Sequence, residues 1–326
     1  MNGSLISIVI PTYNRYREAI RAIRSVENQT YRPIEIIVIE DGSDSGIEQW
    51  IKQKNLDKKD MEIIYFNNKN NLGLSATKNR GVSLSSGEYV AILDDDDEWK
   101  SEKLERQMGL ICTSNGKNEP IGVVSTGFEI RYKDSRYVNF APGGNRGNLR
   151  ENIIKKGIIT PSSTFLFPRK VLLSVRYDET LRSSTDHDIM MSLAKEGYSG
   201  IATDEALAIT YSRLGRSSNM TNTYQRIDSI HQFLEKWSSV YQEWMGEIGA
   251  DKYCKRYFAQ VVSWLIVNKL YSKKYKEAFY CVRSIFKFSG VSIDTLRIIL
   301  VPVIKRVIKN IIPEPIFVYV KKTVRK

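Results

Sequence analysis

The sequence predicts an α/β fold with a mostly parallel central sheet, followed by a C-terminal helical region. Three observations predict it: β-branched apolar runs of strand length, helically spaced apolar residues between them, and a shift after Arg216 to long amphipathic patterns. Leu5 to Ile10 is the first strand, its composition that of a segment buried on both faces, and Pro11 ends it. Tyr16 to Val26 follows as a helix, with Ala19, Ile20, Ile23 and Val26 on one side. Ile34 to Ile39 is the second strand and stops at Glu40-Asp41-Gly42-Ser43, so a right-handed crossover unit is expected.

The alternation continues with a helix over Ser45 to Lys54, a strand over Glu62 to Asn67 and a turn at Leu72-Gly73-Leu74. A helix over Ser75 to Leu84 and a strand over Tyr89 to Leu93 complete it, and that strand runs into Asp94-Asp95-Asp96-Asp97. Beyond it come a helix near Lys103 to Thr113, a strand at Gly122 to Tyr132, a loop through Gly143, Gly144 and Gly147, a strand at Phe165 to Phe167, and a helix over Asp188 to Glu196. After Arg216, residues Ile227 to Ile248 form one amphipathic helix, and Tyr253 to Tyr271 and Lys274 to Phe288 form two more, with Trp237, Trp244 and Trp264 as core. The expected organisation is a domain over 1–215, a helical region over 216–290 and a basic tail over 291–326.

With 42% apolar and 26% charged residues in 326, the chain can bury a proper core, which excludes disorder. Its 49 basic residues exceed 37 acidic ones, a net charge of +12 that favours phosphates, nucleic acid or an anionic membrane. Cys112, Cys254 and Cys281 are scattered, as in a reducing compartment, and with His187 and His231 alone beside them they argue against zinc. The N-terminal stretch lacks a basic region and is too short for a signal peptide, and no run reaches the ~20 apolar residues of a membrane span. A cytoplasmic location is expected.

In an open α/β sheet, ligands bind beyond the carboxyl ends of the strands. Pro11 to Asn14, Glu40-Asp41 and Asp94 to Asp97 therefore share one crevice. Four consecutive aspartates repel one another and call for a cation, Mg²⁺ or Mn²⁺ bridged to substrate phosphates being the hard-ligand choice, unless the run is simply a solvated turn. A calcium loop fails, because Trp99 stands where glycine is needed. No GxGxxG follows the first strand and no GxxxxGK[ST] occurs, so dinucleotide and P-loop readings lose support.

Six ordered blocks over about residues 4–212 resemble the family 2 glycosyltransferases: SIVIPTYNR at Ser7 to Arg15, SVENQTY at Ser25 to Tyr31, IEIIVIEDGS at Ile34 to Ser43, NLGLSATKNRG at Asn71 to Gly81, SGEYVAILDDDDEW at Ser86 to Trp99, and YDETL with TDHDIMMSLAKEG between Tyr177 and Gly197. The resemblance implies the A-type glycosyltransferase fold, which is Rossmann-like. It also implies that Pro11, Thr12, Tyr13 and Asn14 line the nucleotide pocket, with Tyr13 flanking the base and Asp41 hydrogen-bonding its edge. Glu40 stands where the family usually has aspartate. Lys78, where many members have arginine, is expected to touch the diphosphate. The metal motif falls on Asp94-Asp95-Asp96 with Asp97 following: Asp96 as the first metal ligand, Asp94 positioning ribose or metal, Asp95 in the variable slot, facing substrate or solvent, and Asp97 as a further metal residue. Asp186, in a block where Thr185 replaces the usual glutamate, is the implied general base, or else a cap on the helix that follows. Trp99 packs beneath the metal loop.

The implied activity is an inverting, Mn²⁺- or Mg²⁺-dependent transfer of a sugar from a nucleoside diphosphate sugar, a uridine diphosphate sugar first among them, to a glycan or lipid-linked acceptor in cell-surface polysaccharide synthesis. From Val291 onward eight basic residues face only Asp294 and Glu314, and Leu296, Ile299, Leu300, Val303, Ile304, Val307, Ile308 and Ile311 recur at helical spacing. That pattern fits a basic amphipathic helix on the inner face of the plasma membrane, or one docked on the preceding helices. The rivals are a nucleotidyltransferase, whose glycine-rich, arginine-bearing loop is missing, and a charge-driven membrane or nucleic-acid binding module. Nucleic acid is not the expected partner.

Overall fold

The structure, a computed structural model, describes residues 3–54, 60–114, 120–132, 138–157, 161–212, 222–293 and 295–301. The chain divides into two compact units, Met1–Ser212 and Arg213–Lys326.

The α/β class and the mostly parallel sheet are as expected in the first unit. Strands β1 (Ile6–Thr12), β2 (Ile34–Glu40), β3 (Met61–Asn67) and β4 (Tyr89–Ile92) are parallel in the order β3-β2-β1-β4. Every residue of β1 and β2 is buried, as a central parallel strand covered on both faces requires. Helices α1 (Tyr16–Glu27), α2 (Ile47–Lys54) and α3 (Leu74–Leu84) make the crossovers. Gly81 lets α3 lie flush on β1, since a Cβ there would strike Val9.

Contrary to expectation, Pro11 does not end the first strand. The ladder to β4 ends at Val9 opposite Ile92, while pairing with β2 runs on to Thr12 opposite Glu40. The Thr12 carbonyl accepts from the Asp41 N–H at 2.8 Å, and the missing N–H of Pro11 falls on the side where no partner strand remains.

Past β4 come β5 (Glu98–Trp99), α4 (Lys103–Ser114), β6 (Ile121–Tyr132), β7 (Val138–Ala141), β8 (Gly147–Asn148) and α5 (Leu149–Lys156). A 3₁₀ turn at Ser162–Thr164 then leads into β9 (Phe165–Pro168), α6 (Arg169–Val175), α7 (Thr185–Lys195) and β10 (Ser199–Ser212). The sheet continues β4-β9-β6-β10-β5, with β9 antiparallel to both neighbours and β6 parallel to β10. Because β9 runs backwards, its first residue and the turn before it stand at the same end as the last residue of β4.

In the second unit, α8 (Thr223–Tyr271) is interrupted at Gly246, whose φ of 72° and ψ of 167° are not helical, and α9 (Tyr275–Ser289) follows. Asn222 caps α8 by accepting from the Tyr224 N–H at 2.9 Å. Ile227, Ile230, Leu234, Trp237 and Tyr241 are buried as a stripe. Three expected core residues are not: Trp244 is half-buried, Ile248 is 86% exposed and Trp264 is 57% exposed. The break at Gly246 resets the helical phase before Ile248, and the inward stripe of Phe258, Val262, Leu265 and Ile266 leaves Trp264 on the outside. Ile299 is buried in the helical residues 295–301, whereas the basic tail expected over 291–326 lies outside the described residues from 302 onward.

Candidate active site

The carboxyl ends of β1, β2 and β4 form one rim. At the end of β1, Thr12 is buried, Tyr13 is 46% exposed and Asn14 takes a φ of 53°, its N–H donating to Ser43 Oγ at 3.1 Å. The turn thus presents the Tyr13 ring outward, where the nucleotide base was expected.

The two acids ending β2 turn inward. Glu40 is fully buried: Oε1 accepts from Ser43 Oγ at 2.7 Å and the Ser45 N–H at 2.8 Å, and Oε2 from Tyr65 Oη at 2.8 Å. Asp41 Oδ1 accepts from Asn68 Nδ2 at 2.7 Å and the Leu72 N–H at 2.9 Å, and Oδ2 from the Gly73 N–H at 2.9 Å. These hydrogen bonds compensate two buried carboxylates. Gly42, which follows them, has a φ of 72°, and a Cβ there would collide with the backbone of Asn70 and Asn71. Glu40 and Asp41, expected to contact substrate, shape the loops at the rim through these bonds.

The acidic run after β4 is a tight turn, with the Asp97 N–H donating to the Asp94 carbonyl at 3.0 Å. Asp95, expected to face solvent and substrate, is only 4% exposed, because Thr12 Oγ1 and Arg15 Nη1 each donate to it at 2.8 Å. Asp97, expected among the metal ligands, faces inward and accepts from Ser163 Oγ at 2.6 Å. Asp96 keeps the most open side chain, 39% exposed, with Oδ2 held at 2.8 Å by the same Arg15 nitrogen. Asp94 is the other partly open member: its Oδ2 accepts from Ser162 Oγ at 3.0 Å and its Oδ1 stands 3.1 Å from Lys78 Nζ.

Lys78, expected to touch a diphosphate, has no exposed surface. It donates to Ser162 Oγ at 2.9 Å and reaches Asp186 Oδ1 at 3.5 Å, binding the end of β4 to the start of α7. Asp186 lies in the first turn of α7 after Ser184, but it accepts from the Ser162 N–H at 3.1 Å and does not cap its own helix. Trp99 packs beneath the acidic turn, its Nε1–H donating to the Ser163 carbonyl at 2.7 Å. Arg15, Ser162 and Ser163 were not singled out in the sequence, although Arg15 closes the first block. The two serines owe their place to the reversed direction of β9.

Burial alone would lower the Lys78 pKa, but Asp94 and Asp186 outweigh it and hold the ammonium charged. Burial raises Asp94 against the pull of Lys78, and raises Asp95 to about 7 against the pull of Arg15. Asp97 is raised well above the usual carboxylate range by burial, then by Asp96 and Asp94. Five carboxylates thus meet two basic side chains, Arg15 and Lys78, and the surplus negative charge suits a divalent cation. Among the described residues no three His, Cys, Asp or Glu side chains are gathered into a metal cage. That fits an ion such as Mg²⁺ or Mn²⁺, which takes one or two protein carboxylates and completes its shell with water and substrate phosphate. Asp96 and Asp94 are the members of the run open enough to supply them.

Residues 7–173, about half of the chain, match the family described as Glycosyl transferase family 2. A glycosyltransferase of Rickettsia bellii is 32% identical over 201 residues, 61% of this chain and 28% of that protein. The amylovoran biosynthesis glycosyltransferase AmsB of Erwinia amylovora is 28% identical over 221 residues, 64% of this chain and 70% of its own length. The chain spans about a third of the length of the first curated relatives it matches. Among solved structures, Staphylococcus aureus TarS in complex with UDP-GlcNAc superposes with a TM-score of 0.59 at 15% identity, over 87% of this chain and 81% of that one. The mannosyltransferase PcManGT of Pyrobaculum calidifontis, in complex with GDP-Man and Mn²⁺, gives 0.55 at 13% identity over 94% and 81%. Those superpositions show a shared fold, and the extent of the family match settles membership: the chain belongs to glycosyl transferase family 2.

Proposed function

We propose that this chain transfers a sugar from a nucleoside diphosphate sugar to a hydroxyl of a glycan or lipid-linked glycan, by a single displacement that inverts the anomeric carbon. The observation that carries the reading is the placement of Lys78, buried between Asp94 at the end of β4 and Asp186 at the start of α7. It supports a reading in which the donor is held on the Asp94 side and the acceptor on the Asp186 side. Asp186 removes the acceptor proton, the oxygen so freed bonds to the anomeric carbon, and the bond from that carbon to the diphosphate breaks. A divalent cation held at Asp96 and Asp94 would neutralise charge on the departing diphosphate. Tyr13 flanks the base, while Glu40 and Asp41 hold the loops that bound its pocket.

The printed descriptions of the relatives support parts of this reading: amylovoran biosynthesis for AmsB, UDP-GlcNAc for TarS, and GDP-Man with Mn²⁺ for PcManGT. A uridine diphosphate sugar is the first donor to try, and cell-surface polysaccharide the acceptor class. Among the described residues no helix is long and apolar enough to cross a membrane. We place the enzyme as a peripheral protein on the inner face of the plasma membrane, where a lipid-linked acceptor would be met.

Calorimetry with a panel of nucleoside diphosphate sugars, with and without Mn²⁺, tests the site. One donor is expected to bind only with the ion, and Asp96→Asn to abolish that ion-dependent binding. Asp186→Asn is expected to keep donor binding but lower turnover by about 10²- to 10⁴-fold, the range of a lost general base. Equal metal-free binding of every donor, or release of pyrophosphate as product, overturns the reading.

A further inference from the structure

The charge of this chain is segregated. Residues 1–246 carry 32 basic and 32 acidic side chains, so their net charge is zero, while residues 247–326 carry 17 basic against 5 acidic. The whole excess of +12 therefore lies after the break at Gly246, and much of it sits on described helices and not in the tail alone.

The outer face of α9 concentrates this excess. Its exposed residues are Tyr275, Lys276, Phe279, Arg283 and Lys287, all basic or aromatic. At 100° per residue they fall within an arc of about 120° and along about 18 Å of the helix axis. Tyr275 is 64% exposed and Phe279 71% exposed. The one acid of α9, Glu277, is drawn inward by Lys269 at 2.7 Å, with Lys274 at 3.6 Å, so it does not dilute the face. On the opposite side Ala278, Cys281 and Ile285 are buried. Beyond α9 the aliphatic side chains of Val291 and Ile293 are 75% and 73% exposed.

We infer that the outer face of α9 is a docking surface for an anionic lipid bilayer. Cations flanking exposed rings match lipid phosphates with the headgroup boundary beneath them, the arrangement of an interfacial amphipathic helix. A polynucleotide would use the cations and could stack on the rings, but it has no use for exposed aliphatic side chains at Val291 and Ile293. The bilayer is therefore the occupant that the chemistry favours. This sharpens the peripheral placement proposed above and moves the contact from the distal tail to a described helix. It does not depend on the transfer reaction, since vesicle binding and donor binding are measured separately.

The test is sedimentation of the full chain with phosphatidylcholine vesicles, with and without 30% phosphatidylglycerol. Binding is expected only with the anionic lipid, and Lys276→Glu/Arg283→Glu/Lys287→Glu in the full chain should weaken it by about 100-fold, each charge near the surface counting for roughly five-fold. Tyr275→Ser/Phe279→Ser should weaken it several-fold at unchanged charge, which a purely electrostatic surface would not show. Lys321→Glu/Lys322→Glu should cost less than the α9 triple substitution, and circular dichroism establishes that each variant is folded. The inference is overturned if the α9 variants sediment like the parent, if neutral and anionic vesicles bind alike, or if the aromatic substitutions have no effect while single-stranded DNA competes the protein off the vesicles.

Discussion

Two lysines in the first unit, Lys78 and Lys103, are each without exposed surface, and they stand in opposite electrostatic states. Lys78 has Asp94 at 3.1 Å and Asp186 at 3.5 Å. At an effective dielectric of about 20, one such pair attracts by roughly 5 kcal/mol, comparable to the desolvation penalty of an ion, so the ammonium stays charged. Lys103 donates to the neutral Gln107 Oε1 at 2.8 Å and lies 3.9 Å from the centre of the Trp99 ring. With no carboxylate to offset it, burial pushes its pKa well below the usual value. Burial alone therefore does not mark a functional lysine. What separates the two is that one joins carboxylates from two ends of the crevice, while the other fills a gap beneath it.

The largest expected effect comes from removing the charged member. Lys78→Met leaves Asp94 and Asp186 facing each other without the buried counter-ion, which should cost up to about 3 kcal/mol of stability and abolish turnover, as read by denaturant unfolding and sugar release. A negligible loss would mean that the carboxylates are balanced from elsewhere, and the contrast with Lys103 would weaken. Ser162→Ala sharpens the comparison from the other side. Its hydroxyl accepts from Lys78 and donates to Asp94, while its backbone N–H to Asp186 survives the substitution. The expected cost is about 1–3 kcal/mol, with turnover falling more than donor affinity because the carboxylates lose alignment while the base pocket proposed at Tyr13 is untouched.

Much of this site was legible in the sequence, and the remainder was hidden for identifiable reasons. The strands of the first half are locally encoded: Ile6 to Ile10 and Ile34 to Ile39 are apolar but for Ser7 and Glu35, so their ends, and the acids that follow, could be placed in one crevice. The four aspartates are chemically identical letters. Their division into two partly open and two buried carboxylates depends on turn geometry and on Thr12, Arg15 and Ser163, which come from distant segments. Strand β10 escaped notice because register shifts between Ala202 and Ala206, and again before Ala208, break the two-residue alternation that would have exposed it. The second-unit helix was misphased by one residue, Gly246, whose left-handed φ moved Ile248 from core to solvent.

The smallest expected effect, at Lys103, is also the one that separates the two lysines by pH. Its folded pKa is depressed, so between that value and the ordinary 10.5 the unfolded chain holds a proton that the folded chain lacks. When the unfolded state binds more protons, stability rises with pH, so the parent protein should gain stability from neutral pH towards pH 10. Lys103→Met removes that dependence together with the cost of burying the amine, and it leaves Gln107 Oε1 without its donor, a loss of about 1–3 kcal/mol. The two changes oppose each other at neutral pH, where the net shift should stay within about 1 kcal/mol. Urea unfolding at pH 7 and pH 9.5 checks this: the parent should be more stable at the higher pH by a margin larger than that of Lys103→Met. Equal margins would mean that Lys103 keeps its charge beneath the acidic turn, and would make it a second counter-ion of the same kind as Lys78.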